Sequence, residues 1–175
     1  MAPLLPENFE FENYYDQCHP NARKILTDEI FWLPGDENGP TRGDVGSDAL
    51  HDFWEWRSSY RTESTFDFVM RQLEHVYGLS LKRLEAVSND IAEFSTEELK
   101  DDAFLYDDYL LAVTFAQFMR EGCVEKQLHD AALLVLKRQT DPRVNRFNAG
   151  PPGNIAPLSE DFKKVVDALM KMDIC

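Results

Sequence analysis

Residues 105–121 read LYDDYLLAVTFAQFMRE, and this stretch decides the fold. Leu105, Leu110, Leu111, Val113, Phe115, Phe118 and Met119 fall on most sides of a helix rather than along one stripe. A helix that is apolar all round belongs inside a bundle, so the spacing predicts a central helix with others laid against it. Gly122 ends the stretch. Helical spacing resumes over residues 124–139 through Leu128, Ala131, Ala132, Leu134, Val135 and Leu136. So short a turn predicts an antiparallel helical hairpin.

Working outward, Phe66, Val69, Met70, Leu73, Val76 and Tyr77 make one apolar face over residues 65–77, with Ser64 as cap and Gly78 as stop. Leu50, Phe53, Trp54 and Tyr60 recur at helical spacing after Ser47, read as another cap. A weaker helix is expected over 81–94, and Ser95-Thr96-Glu97-Glu98 has the capping-box pattern. Pro20 suits the first turn of a helix that His19 introduces, and Thr27 is placed to cap a short helix through Ile30, Phe31 and Trp32. Ser159 opens a last helix with Phe162, Val165, Val166, Leu169 and Met170 on its buried side. Residues 34–47 and 140–157 are rich in glycine and proline and read as long loops. The expectation is an all-α, irregular multi-helix bundle, a single helical domain over residues 1–175, with room for one or two short strands beside the loops.

The 32 acids outnumber the 18 bases, a net charge of −14. That balance opposes nucleic acid, whose phosphates it would repel, and anionic membranes. It suits solubility or a basic protein partner. No apolar run reaches the roughly 20 residues that cross a bilayer, and the first eleven residues do not pattern as a secretory signal. Cys18, Cys123 and Cys175 are odd in number, far apart and without a CxxC pair. The expectation is therefore no disulfide, no zinc site and a reducing, cytoplasmic setting. No phosphate-cradling, nucleophile-elbow or zinc-protease motif occurs, so no catalytic residue and no cofactor is implied.

Three regions carry candidate chemistry. Asp44, Asp48, His51 and Asp52, followed by Glu55, fall on neighbouring helical faces where the first loop meets a helix, and His19 is placed to approach them. Carboxylates with a histidine can hold a divalent metal or work as an acid/base pair. This makes a metal-dependent enzyme or small-molecule binder the alternative function, against acids that merely favour a helix start. Trp54-Glu55-Trp56-Arg57 is the second region. The two tryptophans cannot share one core face, so Trp54 is expected in the core, and Trp56 either under the 34–47 loop or, with Arg57, at an interface. The third is the tract from Glu85 to Asp108, nine acids against Lys100 alone. It concentrates more than half of the charge imbalance, and Glu97, Glu98, Asp101 and Asp102 are its handles for a basic partner, against a plain solvated face.

One set of residues resembles a known family. His19-Pro20-Asn21-Ala22, Leu26-Thr27-Asp28-Glu29-Ile30-Phe31-Trp32, Gly43-Asp44-Val45-Gly46-Ser47-Asp48-Ala49 and Trp56-Arg57 look like uncharacterised bacterial proteins associated by name with the WGR domain and molybdate-metabolism regulators. They are also similar to predicted immunity proteins of bacterial toxin systems. In these relatives a D-x-G-x-D loop precedes a helix ending in Trp-Arg. The resemblance spans mainly residues 19–60, and no Trp-Gly-Arg occurs, so the WGR domain itself is not indicated. It implies a bacterial, cytoplasmic, non-catalytic protein.

Overall fold

The computed structural model describes residues 14–82, 100–141 and 160–175. Within them run α1 (Tyr14–Gln17), α2 (Pro20–Ile25), a 3-10 turn (Glu29–Phe31), α3 (Gly43–Ser59), α4 (Thr65–His75), α5 (Lys100–Glu121), α6 (Lys126–Gln139) and α7 (Glu160–Met170). The described residues contain no strand. Their only β-type pairings are two isolated bridges, Gly35 with Arg42 and Val124 with Ile174. The molecule is all-α, as expected.

The centre is α5, where every residue from Asp107 to Met119 is buried. Each large apolar side chain taken out of water there contributes about 1.5–3 kcal/mol, so the run that is apolar on all sides takes the middle and the one-faced helices surround it. α3 lies most extensively against it, followed by α6, α4 and α2. α3 and α5 run in the same direction, since Arg42 reaches Asp108 at one end and Arg57 reaches Glu121 at the other. α5 and α6 form the antiparallel hairpin. Glu125 N donates to Gln117 Oε1 near the turn, and Arg138 meets Asp107 at the far end. Gly122 turns the chain with φ of +74°, and a Cβ there would fall 2.0 Å from His19 Nδ1. Both facts demand glycine.

Several boundaries depart from the sequence reading. α3 begins at Gly43, four residues before Ser47, and Ser47 lies inside it. The cause is the preceding loop, which is tied rather than open. Gly35 N donates to Thr41 O and Gly43 N to Gly35 O, while Asn38 N donates to Asp36 Oδ1 in an Asx turn. Pro40, Thr41 and Arg42 are consequently buried. Gly46 presses on this loop so closely that a Cβ would come within 2.5 Å of the Thr41 carbonyl carbon. Asp28, rather than Thr27, caps the 3-10 turn, accepting from Ile30 N. Ser64 acts as a cap where expected, and the helix entry expected at His19-Pro20 is present, with His19 itself as the cap. The helix expected over 81–94, the capping box at 95–98, the loop at 140–157 and the Ser159 cap fall wholly or largely outside the described residues.

Candidate functional site

The acidic tract divides into two kinds of carboxylate. Asp107 and Asp108 are buried, and each meets an arginine: Arg138 Nη2 lies 2.5 Å from Asp107 Oδ1, and Arg42 Nη2 lies 2.5 Å from Asp108 Oδ1. They anchor α6 and the start of α3 to the central helix, which corrects their reading as part of a solvated or partner-facing surface. A charge on the all-buried helix survives only with a counter-charge beside it. Asp101 and Asp102, one turn and more before them, are exposed in the first turn of α5. Glu97 and Glu98 lie outside the described residues.

Arg57 is not an interface handle. Its guanidinium is buried, pairs with Glu121 at 2.7 Å and donates to Tyr60 O, Glu63 O and Thr65 Oγ1. The same network continues through Gln117, whose Nε2 donates to Glu121, to Glu125. The Glu125 carboxylate accepts from Ser64 Oγ, Thr65 N and Phe66 N. It thus caps α4 from a different segment, satisfying backbone donors that no residue of α4 can reach.

Trp54 is buried and Trp56 half-buried, as the helical spacing requires. Trp56 packs on α4 rather than under the 34–42 loop, its ring stacked on Phe68 with centroids 4.3 Å apart. Tyr60 lies alongside at 6.1 Å. With Glu63, Arg71 and Gln72 these rings line an open cavity of about 210 Å³. That is smaller than the range of roughly 300–1,000 Å³ typical of ligand pockets, and the Glu63–Arg71 pair at its edge leaves it without net charge.

Asp44, Asp48 and His51 are exposed on α3, and Asp52 is half-buried. The hydroxyl of the fully buried Tyr109 donates to Asp52 Oδ2 at 3.3 Å, and Tyr77 meets the Tyr109 ring edge-on at 5.4 Å. Burial raises the Asp52 carboxyl above its usual range. The Tyr109 hydrogen bond opposes that shift and the Asp48 charge adds to it. Burial likewise raises the Tyr109 hydroxyl far above normal. The pair can hold a proton, but among the described residues no group of three His, Cys, Asp or Glu side chains is placed to hold a metal. His19 does not join the four; its Nδ1 accepts from Asn21 N and caps α2.

The sequence reading also missed a covalent feature. Cys123 and Cys175 form a disulfide across 52 residues, their Cα atoms 5.5 Å apart, while Cys18 stays free and buried. Odd count and wide spacing hid the pairing, because neither reports which turn the last helix returns to. Among the described residues no helix is long and apolar enough to cross a membrane. No protein-family model, curated protein or solved structure matches the chain.

Proposed function

We propose that this chain is an acidic, non-catalytic interaction protein that engages a basic protein, in an immunity or regulatory role. One observation carries the reading. Among the described residues, Asp44, Asp48, Glu55, Asp101 and Asp102 are exposed and enter no ion pair. The molecule pairs Asp107, Asp108 and Glu121 internally and leaves these five carboxylates to solvent. Asp101 and Asp102 lie about 9–11 Å along α5 before Asp108, by the rise of 1.5 Å per residue. Asp108 holds Arg42 at the start of α3, so both acids sit towards the Asp44 end of α3. A surface of one sign speeds encounter with a partner of the opposite sign. The resemblance over residues 19–60 supports the immunity or regulatory role.

A cytoplasmic location belongs to the same proposal, but its cysteine argument no longer stands, since two of the three cysteines are bonded. A reducing compartment suits the chain only if that bond opens there.

The test is affinity purification from the native cell with mass spectrometry, comparing wild type with the combined variant Glu97→Lys, Glu98→Lys, Asp101→Lys and Asp102→Lys. The reading expects a basic partner recovered by the wild type and lost by a variant whose circular dichroism and melting are near normal. Undiminished recovery overturns it.

A further inference from the structure

The Cys123–Cys175 bond lies where three segments converge. His19 N donates to Met119 O at 2.7 Å. Asn21 Nδ2 donates to Gly122 O at 2.7 Å and to Asp173 Oδ2 at 2.9 Å, joining the start of α2 to both the α5–α6 turn and the segment after α7. Val124 N donates to Asp173 O at 2.8 Å and Cys175 N to Val124 O at 3.0 Å, a single parallel rung. Met172 is buried, whereas residues 173–175 are exposed and held by these few bonds and the disulfide.

The sulfurs differ in access. Cys175 is exposed and Cys123 half-buried. Cys18 is buried, and burial pushes its thiol up to about 12, which keeps it protonated and inert. The core has its own packing away from the bond, since α5 is enclosed by helices that lie on it from several sides.

We propose that the Cys123–Cys175 bond is a thiol–disulfide exchange site, opened by a dithiol reductant through Cys175, and that opening releases residues 173–175 from the α5–α6 turn while the helical core stays folded. In the first step a thiolate of the reductant attacks Cys175 Sγ, forming a mixed disulfide and expelling the Cys123 thiolate. The second thiolate of the reductant then displaces Cys175. The reductant leaves as its own disulfide, its two electrons and two protons now on Cys123 and Cys175. This site is separate from the acidic surface, and its test does not depend on a partner.

Native, air-oxidised protein is alkylated with iodoacetamide before and after incubation with dithiothreitol, and the modified cysteines are located by mass spectrometry. The expected result is no alkylation before reduction and alkylation of Cys123 and Cys175, not Cys18, after it. Amide exchange at Val124 and Cys175 is then expected to speed up by at least about tenfold, with residues 110–119 remaining the slowest to exchange and speeding up only by the loss of global stability. The double variant Cys123→Ser, Cys175→Ser should match the reduced protein. Alkylation of Cys123 or Cys175 without reductant overturns the proposal, as does resistance to dithiothreitol short of denaturation. Loss of protection at residues 110–119 under native conditions overturns it too, because the helical core would then not survive opening of the bond.

Discussion

Arg57 meets Glu121, Tyr60 O, Glu63 O and Thr65 Oγ1, so one side chain ties α3, the α3–α4 turn, α4 and α5 together. Removing one partner of such a pair strands the other charge in a poorly hydrated place, which costs about 3–5 kcal/mol. Arg57→Met, which keeps the length, should therefore lower the melting temperature by about 6–20 °C, at about 2–4 °C per kcal/mol for a chain of this size. Adding Glu121→Gln should recover part of the loss, and calorimetry on both variants checks this. Asp52 argues the opposite way. Burial raises its carboxyl, so its folded-state proton affinity exceeds the unfolded one. Such a group contributes stability that is fully present below the unfolded value, about 4, and lost as pH rises through the folded value. Asp52→Asn removes the buried charge while its amide oxygen still accepts from Tyr109. The variant should melt above wild type at pH 7, with the gap closing towards pH 4; a gap constant across that window would contradict the assignment.

At the scale of the element, α4 shows how a helix can depend on a residue 60 positions away. Ser64 supplies the local cap, but Glu125 accepts from Thr65 N and Phe66 N and from Ser64 itself. Its negative charge also faces the positive end of the helix dipole. Glu125→Ala should cost about 1–2 kcal/mol and loosen the first turn of α4 in amide exchange, whereas Glu125→Gln, which keeps one acceptor, should cost less. The identity of most described elements was legible because periodicity reports which face of a helix is buried. Hence α5 as the centre, its hairpin with α6, the Ser64 cap and the Pro20 opening all stood in the sequence. What periodicity does not report is the residue opposite. Arg42, Arg138 and Glu125 look like ordinary surface charges in the chain, yet each meets its partner 31 to 66 positions away. The candidate sites suffered most from this. Asp107 and Asp108 read as outward-facing and proved to be inward, and Arg57, which stands in the apolar stripe of its helix, is inward as well rather than an interface handle, while Asp44, Asp48, Asp101 and Asp102 face solvent.

For the whole molecule, the charge and the disulfide act on different states. The net charge of −14 burdens the compact state with self-repulsion, and the buried arginine pairs relieve it only where they sit. The Cys123–Cys175 bond instead restricts the unfolded chain by closing a 52-residue separation. In the chain-entropy account a loop of that length is worth about 4 kcal/mol. A domain holds about 5–15 kcal/mol in total, so losing the bond should weaken the fold without abolishing it. That margin is what a bond that opens under native conditions needs. Urea titration of the oxidised and dithiothreitol-treated protein should show a lower midpoint after reduction, by up to about 4 kcal/mol once extrapolated to water. The slope should rise as well, because the uncrosslinked unfolded chain exposes more surface. The Cys123→Ser, Cys175→Ser variant should reproduce the reduced curve and ignore dithiothreitol. Equal midpoints for the oxidised and reduced forms would mean that the bond constrains nothing the helices do not already constrain.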